Sequence, residues 1–328
     1  MIGIVTADAS IGQGVGDEGS GSLLTVLIAL VVNVMIAILK SGVAAMTGSA
    51  SMVAEATHSW ADAGNEVFLL VAERRSGKPA DASHPLGYGR AAYVWSMVAA
   101  FGLFAVGAAV SVIHGINALS ESAAETNYLW AFVVLGGAFV LEGVSFLQAR
   151  RQLRAAAALA EMGRLDYLSK TSNPTLRAVF FEDAAALAGI LIAMAGIGLH
   201  HLTGNAVWDA VGSILVGLLL GVIAVYLLAR NMAFLVGQVA DERYTDAILV
   251  WLLARPEVQD VTYLHLEYVG PQKIFVVGAV DLADNNPENE AAVQLQALEN
   301  SLEGYPAVAR AVLSLAAPGQ APLRPLKS

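Results

Sequence analysis

Long apolar runs separated by short polar segments fill the chain up to about residue 236. A helix that crosses a bilayer needs about 20 largely apolar residues, and six windows of the sequence meet that requirement. These windows run from Leu23 to Met46, Ser49 to Glu73, Arg90 to Ile116, Tyr128 to Gln148, Thr175 to His200 and Val207 to Leu228. The pattern predicts an α-helical membrane protein with six transmembrane helices.

From Asp241 onward the pattern is that of a small soluble domain, with apolar residues that alternate or recur at helical spacing. In the first predicted strand, Leu264 and Leu266 point to one face and Tyr263 to the other, as in a sheet covered by helices on one side. The predicted elements are a helix from Asp241 to Ala254, strands from Val261 to Val269 and Lys273 to Leu282 joined by a Gly270-Pro271 turn, a helix from Glu288 to Glu303 and a strand from Ala309 to Leu315. Their order predicts an α+β domain of the αββαβ type.

These patterns divide the chain into four parts. Residues 1–22 are rich in glycine and have no basic residue, so they predict a disordered leader rather than a cleaved signal peptide. Residues 23–236 form the predicted six-helix membrane domain, and residues 237–318 form the predicted soluble domain. Residues 319–328 are expected to be a loose tail.

Lys and Arg are concentrated in two of the predicted loops. The segment between helices two and three carries Arg74, Arg75 and Lys78, with Arg90 at its end, and the segment between helices four and five carries Arg150, Arg151, Arg154, Arg164, Lys170 and Arg177. The loops 120–127 and 200–206 have neither Lys nor Arg. Because short basic loops stay in the cytoplasm, both termini and the soluble domain are predicted to be cytoplasmic. The Ala- and Gly-rich, Lys-poor composition indicates a bacterial inner membrane.

Composition narrows the possible chemistry. Hydrophobic residues make up 56% of the 328 residues and charged residues only 14%, which is typical of a chain embedded in lipid. Cysteine is absent, so a metal site must use His, Asp, Glu or Asn. The net charge of −10 makes nucleic acid an unexpected ligand. Neither a nucleotide-binding loop nor a nucleophile paired with a base is evident, so an enzyme is not expected.

Four polar residues form a stripe on the second predicted helix. Glu55, His58, Asp62 and Glu66 fall within an arc of roughly 80° at 100° per residue. A charged group at mid-bilayer depth costs about 2.5 to 3.5 kcal/mol, so such a stripe indicates a lined cavity or a bound cation. His58 and Asp62, one turn apart, can both bind Zn²⁺. The alternative is hydrogen bonding to neighbouring helices. Glu55 and Glu66, nearer the ends, are candidates for the transport pathway or a proton relay.

Carboxylates also occur on the fourth and fifth predicted helices. Glu182 and Asp183 form a buried acidic step without a basic residue in the same helix core, which again indicates a cation. An ion pair with Lys40 of the first helix is the alternative. Glu142, with Ser145 one turn on, could complete the site, relay protons or pair with Lys40.

These residues and motifs together resemble the cation diffusion facilitator family of zinc transporters. The resemblance rests on the six spans, the His58-x-x-x-Asp62 pair and His84-Pro85-x-Gly87-x-x-Arg90. The runs Thr57-His58-Ser59-Trp60-Ala61-Asp62, Tyr93-Val94-Trp95-Ser96 and Glu182-Asp183-Ala184-Ala185-Ala186 are similar to the branch that contains the ninth human zinc transporter and its bacterial relatives. The resemblance implies a ferredoxin-like soluble domain that forms a homodimer, and export of Zn²⁺ from the cytoplasm in exchange for protons. It also implies His58, Asp62 and Glu182 as metal ligands, and the fourth position is left to Asp183 or to a water molecule.

The chain departs from the family pattern on the fifth helix. Most members carry His or Asp at two positions four apart, which fall here on Glu182 and Ala186, so one ligand is replaced and one is missing. Zinc sites of the soluble domain in some members also fail to carry over, since the matching positions are Thr262, Gly278, Leu315 and Ala317. Two other functions therefore remain open: a carrier of Mn²⁺, Fe²⁺ or Co²⁺, because an oxygen-rich site is less selective for zinc, and a non-transporting scaffold subunit with a degenerate site.

The remaining polar residues are expected to have structural roles. His84 is expected to form a turn before helix three, and His200 and His201 to be an exposed pair. His265 is expected to lie on a solvated sheet face. Asp209, Asn33 and Lys40 are candidates for hydrogen bonds between helices.

Overall fold

The computed structural model describes residues 21–101, 105–120, 128–284 and 286–326. Residues 1–20 of the predicted leader and residues 121–127 of the predicted loop lie outside the described residues, and Gly21 and Ser22 already belong to the first helix. The first part of the chain forms eight helices within the described residues. They are α1 (Gly21–Thr47), α2 (Ala50–Ser76), α3 (Ala91–Ala99), α4 (Ala105–Ala118), α5 (Leu129–Leu159), α6 (Arg164–Lys170), α7 (Pro174–Thr203) and α8 (Val207–Gly237).

The chain is a helical membrane protein. Four described helical segments are long and apolar enough to cross a bilayer: Leu30–Thr47 of α1 and the whole of α5, α7 and α8. Helix α2 is as long as α1, at 27 residues, but carries the polar stripe. The third predicted window corresponds to α3 and α4, with residues 102–104 outside the description. A count of six spans therefore stays a prediction.

Helix α5 is longer than the hydrophobic pattern predicts. It runs to Leu159, so Arg150, Arg151 and Arg154 lie on the helix and not in a loop as expected. The four alanines at positions 155–158 have the highest helix propensity of any residue and extend the helix beyond its apolar window. The structure thereby corrects the expected end of this element at Gln148.

Hydrogen bonds from side chains fix where α2 begins. The Ser49 hydroxyl accepts a hydrogen bond from the Met52 amide, and the Asp209 carboxylate of α8 accepts hydrogen bonds from the Ser49 hydroxyl at 2.9 Å and the Ala50 amide at 2.7 Å. A carboxylate near a helix N-terminus satisfies amides that have no partner in the helix. The bond between Asp209 and α2 confirms the interhelical role expected of Asp209.

The second part of the chain is a small sheet domain. Its elements are α9 (Glu242–Leu253), β1 (Val258–Gly270), β2 (Lys273–Leu282), α10 (Glu288–Glu303) and β3 (Val308–Leu315). The element order is the predicted one. Strands β1 and β2 are antiparallel, β2 and β3 are parallel, and the sheet order is β1-β2-β3. One sheet face, which includes Val261, Leu266, Val276 and Val280, is fully buried.

The C-terminal segment is bound to the sheet domain, which contradicts the expected loose tail. The Leu323 amide donates a hydrogen bond to the Val261 carbonyl at 2.7 Å, and Arg324 forms an ion pair with Asp260 at 3.0 Å. The segment up to residue 326 therefore covers part of the edge of β1. Backbone hydrogen bonds leave no side-chain pattern, which is why the sequence did not indicate them.

The sheet domain also packs on the helices. Tyr93 of α3 stacks on Phe234 of α8 with ring centroids 5.2 Å apart, and Phe234 lies 5.6 Å from the ring of Tyr268 on β1. All three side chains belong to the hydrophobic core of the sheet domain. Arg90 forms an ion pair with Glu267 beside this contact. One continuous core therefore joins the two parts of the molecule.

Candidate metal centre

A cavity of about 320 Å³ lies among α1, α2, α5 and α7. The carboxylates that line it are Asp62 and Glu66 of α2, Glu142 of α5, and Glu182 and Asp183 of α7. None of the described residues that line this cavity is Lys, Arg or His. We call it the acidic cavity. Carboxylates around one space without a basic side chain would attract a cation when they are ionised, because the surrounding bundle screens charge poorly.

The acidic cavity extends from the middle of the bundle toward one of its ends. We call the end at which α8 leads into α9 the sheet end. Most lining residues of α1 and α2, and all those of α7, lie in the helix halves nearer the sheet end, whereas Ile36 and Asp62 lie near the middle of their helices. The other half is packed by an apolar cluster that includes Val43, Met52, Leu135, Ile190 and Ile197. Apolar packing thus fills much of the bundle on the side opposite the sheet end.

Asp62 of the predicted pair on α2 lines the acidic cavity, and His58 contacts Asp62. His58 is fully buried, and its Nδ1 atom lies 3.4 Å from Oδ1 of Asp62, as expected for side chains one helical turn apart. Asp62 faces the cavity. One imidazole and one carboxylate are thus placed to bind a common ion.

Three of the cavity carboxylates accept hydrogen bonds from uncharged side chains of another helix. The Asn65 amide of α2 donates to Oε1 of Glu182 on α7. The other two bonds run from the Ser145 hydroxyl to Oδ2 of Asp183 at 2.9 Å and from the Asn33 amide to Oε1 of Glu66 at 2.9 Å. We call Asn65, Ser145 and Asn33 the neutral clamps. The bond of Asn33 to Glu66 confirms its expected interhelical role.

Sequence reasoning missed Asn65 because it considered only titratable residues on α2. At 100° per residue, Asn65 lies roughly 20° beyond His58 on the same side of the helix. It is only 2% exposed. A buried asparagine that extends a polar stripe in an apolar helix was the signal that could have found it.

Lys40 pairs with Glu55 and not with the carboxylates of α7 or with Glu142. The Lys40 Nζ atom lies 3.0 Å from Oε2 of Glu55, and both side chains are fully buried. Glu55 is not among the residues that line the acidic cavity. A Cβ atom on Gly189 would lie 2.6 Å from Oε1 of Glu55, so this glycine provides the space for the carboxylate. Lys40 thus bonds between helices as expected, and a role for Glu55 in the pathway stays a prediction.

Ala186 is buried one turn after Glu182 and supplies no ligand atom. Among the described residues, no three His, Asp or Glu side chains lie together closely enough to hold one metal ion. The structure brings Asp62, Glu182 and Asp183 to one cavity and His58 into contact with Asp62. Their joint action as ligands stays a prediction.

One of the remaining histidines differs from expectation. His200 is 7% exposed and its Nδ1 atom lies 3.1 Å from the Tyr128 hydroxyl, so it is not an exposed residue. The reason is a partner distant in sequence. His265 is half-buried, and Glu267, two residues further along β1, pairs with Arg90.

His84 lies in a compact turn before α3, as expected. Its ring stacks on Tyr88 with centroids 3.9 Å apart, and Asp81 accepts hydrogen bonds from Ser83 and Tyr88. Hydrogen bonds from the Ser83 and Tyr88 hydroxyls hold the pKa of the Asp81 carboxyl below its usual range. The turn therefore keeps a negative charge beside the histidine at neutral pH.

Comparison with known proteins gives a match to the family described as the cation efflux transmembrane domain over residues 26–236. Metal tolerance protein C4 of Arabidopsis thaliana is 35% identical over 257 residues, which are 78% of this chain and 56% of the plant protein. The human mitochondrial proton-coupled zinc antiporter SLC30A9 is 31% identical over 264 residues, or 80% of this chain and 46% of the human protein.

A bacterial relative matches more of its own length. The magnetosome protein MamM of Magnetospirillum gryphiswaldense is 25% identical over 289 residues, which are 84% of this chain and 82% of MamM. By contrast, the chain spans about half the length of the plant and human relatives. The family match includes every residue that lines the acidic cavity.

Proposed function

The chain belongs to the cation efflux, or cation diffusion facilitator, family, and we propose from that premise that it carries Zn²⁺ across a membrane in exchange for protons. The observation that carries the proposal is the acidic cavity, whose described lining residues include five carboxylates and no Lys, Arg or His. The printed names of the relatives, a metal tolerance protein and a proton-coupled zinc antiporter, support metal as cargo. Because the chain covers about half of those proteins, their activity is an inference for this one.

We assign His58, Asp62, Glu182 and Asp183 as the ligands that bind the ion. Zn²⁺ is bound in proteins by imidazole nitrogen and carboxylate oxygen, usually with four ligands. These side chains do not converge on one point in the structure, so the helices must approach each other when the ion binds. Glu142, on the opposite wall of the acidic cavity, is available in place of the side chain that Ala186 lacks.

Exchange with protons follows from the ligand chemistry. Carboxylates and imidazole bind metal only when deprotonated, so loading the ion displaces protons and reprotonation displaces the ion. An apolar half opposite the sheet end and a cavity nearer the sheet end support a state that is accessible from one side only. Alternating access would open the apolar half and close the other. Glu66 lies on the cavity wall nearer the sheet end and is suited to pass protons or metal along it.

The remaining proposals concern the orientation, the oligomeric state and the membrane of this transporter. We place both termini and the sheet domain, which we assign to the ferredoxin-like class, in the cytoplasm on the basis of the basic segments near the sheet end. We expect a homodimer formed through the sheet domain, in a bacterial inner membrane. In such a membrane, protons that move inward down their gradient would drive the metal out of the cytoplasm.

Ala186 and the absence of a ready three-ligand group among the described residues favour one alternative, a scaffold subunit that does not transport. Metal flux separates the two functions. Purified protein in proteoliposomes should take up Zn²⁺ when a pH gradient is imposed, with an opposite movement of protons reported by a pH-sensitive dye. Parallel assays with Mn²⁺, Fe²⁺ and Co²⁺ rank the cargo. Absence of flux for all four ions would support the scaffold.

A further inference from the structure

The neutral clamps hold their carboxylates without cancelling the charge. A Lys or Arg in the same place would neutralise the site, whereas an amide or hydroxyl donor orients the carboxylate and leaves its negative charge for a cation. Lys40, the basic residue nearest in sequence to Asn33, is held by Glu55 outside the cavity lining. The clamps therefore preserve the affinity of the acidic cavity for a doubly charged ion.

Each clamp donates one hydrogen bond to one carboxylate oxygen and none to the other. The clamped atoms are Oε1 of Glu182, Oδ2 of Asp183 and Oε1 of Glu66. Oε2 of Glu66 is buried without a hydrogen-bond partner among the described residues. The hydrogen bond draws electron density from the clamped oxygen and fixes its direction, so the other oxygen is the better ligand and monodentate binding is favoured.

Monodentate binding discriminates between ions of different size. Zn²⁺ takes four ligands at about 2.0 to 2.2 Å, whereas Ca²⁺ takes six to eight oxygens at about 2.3 to 2.6 Å and uses bidentate carboxylates. Three carboxylates that each favour binding through one oxygen suit the larger ion less well. The geometry of the clamps thus favours a small ion with a low coordination number.

We propose that Asn65 is a specificity-determining positioning residue, which holds Glu182 to one free oxygen and thereby favours Zn²⁺ over Ca²⁺. This inference rests on the proposed function. Asn65 is the most informative of the neutral clamps because it is 2% exposed and bridges the two helices that carry the assigned ligands. Its bond sets both the orientation of Glu182 and the approach of α7 to α2.

The test measures competition between Zn²⁺ and Ca²⁺ for the purified full-length protein. Asn65→Leu keeps the branched shape and the number of side-chain heavy atoms and removes the donor, so we expect the ratio of Zn²⁺ to Ca²⁺ affinity to fall by about tenfold, the size of one hydrogen bond to a charged group. Asn65→Gln keeps an amide donor and should recover most of the ratio. Asn231→Leu is the matched control, because Asn231 is equally buried but lies on α8, away from the cavity lining.

A second variant tests the proposal independently in case Asn65→Leu does not fold. Ser145→Ala frees Asp183, removes only one oxygen atom and should lower the same ratio in the same direction. An unchanged ratio in both Asn65→Leu and Ser145→Ala, with wild-type protein that prefers Zn²⁺, would overturn the clamp proposal alone. If the wild-type protein binds neither ion in the bundle, the proposed function fails and the clamp proposal fails with it. If the affinities for Zn²⁺ and Ca²⁺ fall by the same factor, so that their ratio is unchanged, a role in specificity is also contradicted.

Discussion

The Lys40 ammonium and the Glu55 carboxylate form an ion pair at 3.0 Å inside the helix bundle, and neither side chain is exposed. Removing one partner leaves the other as an uncompensated buried charge, which costs about 3 to 5 kcal/mol. We therefore expect Lys40→Met to lower the thermal stability of the detergent-solubilised protein strongly. The melting temperature of the purified variant measures the loss.

The double variant Lys40→Met with Glu55→Leu decides what the pair is for. If the pair is structural, the double variant should regain stability, because an apolar pair can replace a buried ion pair. It should also transport Zn²⁺. Recovered stability without flux would instead assign Glu55 to the transport pathway.

Glu182→Gln tests the ligand assigned on α7. The change keeps the shape of the side chain but removes the charge that offsets the cation, so Zn²⁺ affinity should fall by more than about tenfold. Isothermal titration at fixed pH measures the change. Asp183→Asn is the companion: a similar loss would place Asp183 among the ligands, and near-normal affinity would leave the fourth position to water or Glu142.

Ala186→Asp tests the missing family ligand. The new carboxylate would lie one turn after Glu182, on a side of α7 that is buried in the bundle. Zn²⁺ binding should tighten while release slows, because a complete four-ligand site behaves as a structural site. The measurement is titration together with the rate of flux. If neither this variant nor Glu182→Gln alters affinity, α7 takes no part in the site and the scaffold is preferred.

Gly89 tests the contact between the sheet domain and the helices. A Cβ atom there would lie 2.6 Å from the Val269 carbonyl oxygen and 2.8 Å from Cα of Gly270, so no side chain fits without separating the two parts. Gly89→Val should increase hydrogen exchange in the hairpin between β1 and β2. Gly136→Val is the control, because its Cβ meets no atom within 4 Å. Unchanged exchange in Gly89→Val would contradict the close contact.

Hydrophobic periodicity was sufficient to predict most of the helices and the order of elements in the sheet domain. It could not predict the extension of α5, where the alanines at 155–158 favour a helix without marking a membrane span. It also missed the binding of the tail to β1, because the Leu323 amide and the Val261 carbonyl carry no side-chain signal. Helix propensity sets the end of α5, and backbone hydrogen bonds hold the tail on β1. Neither can be read from the pattern of hydrophobic and polar residues.

The charged residues that line the candidate site could be predicted from the sequence, but their uncharged partners could not. A stripe on α2 and an acidic step on α7 indicated the residues of one cavity, because uncompensated carboxylates are costly in lipid. The partner of Lys40 was not predicted, since the sequence analysis considered only Glu142 and the acidic step on α7, whereas the contact with Glu55 depends on how α1 and α2 pack. Asn65 was missed because its role depends on Glu182, which is 117 residues away.

The central claim, that the acidic cavity binds the transported ion, is tested most directly by the number of Zn²⁺ ions bound by the full-length protein. Asp62 faces the cavity and contacts His58, so Asp62→Asn should abolish high-affinity binding in the bundle and also Zn²⁺ flux. Asp281→Asn, at an exposed position on β2, is the control and should bind as the wild type does. Unchanged stoichiometry and affinity in Asp62→Asn would contradict the account.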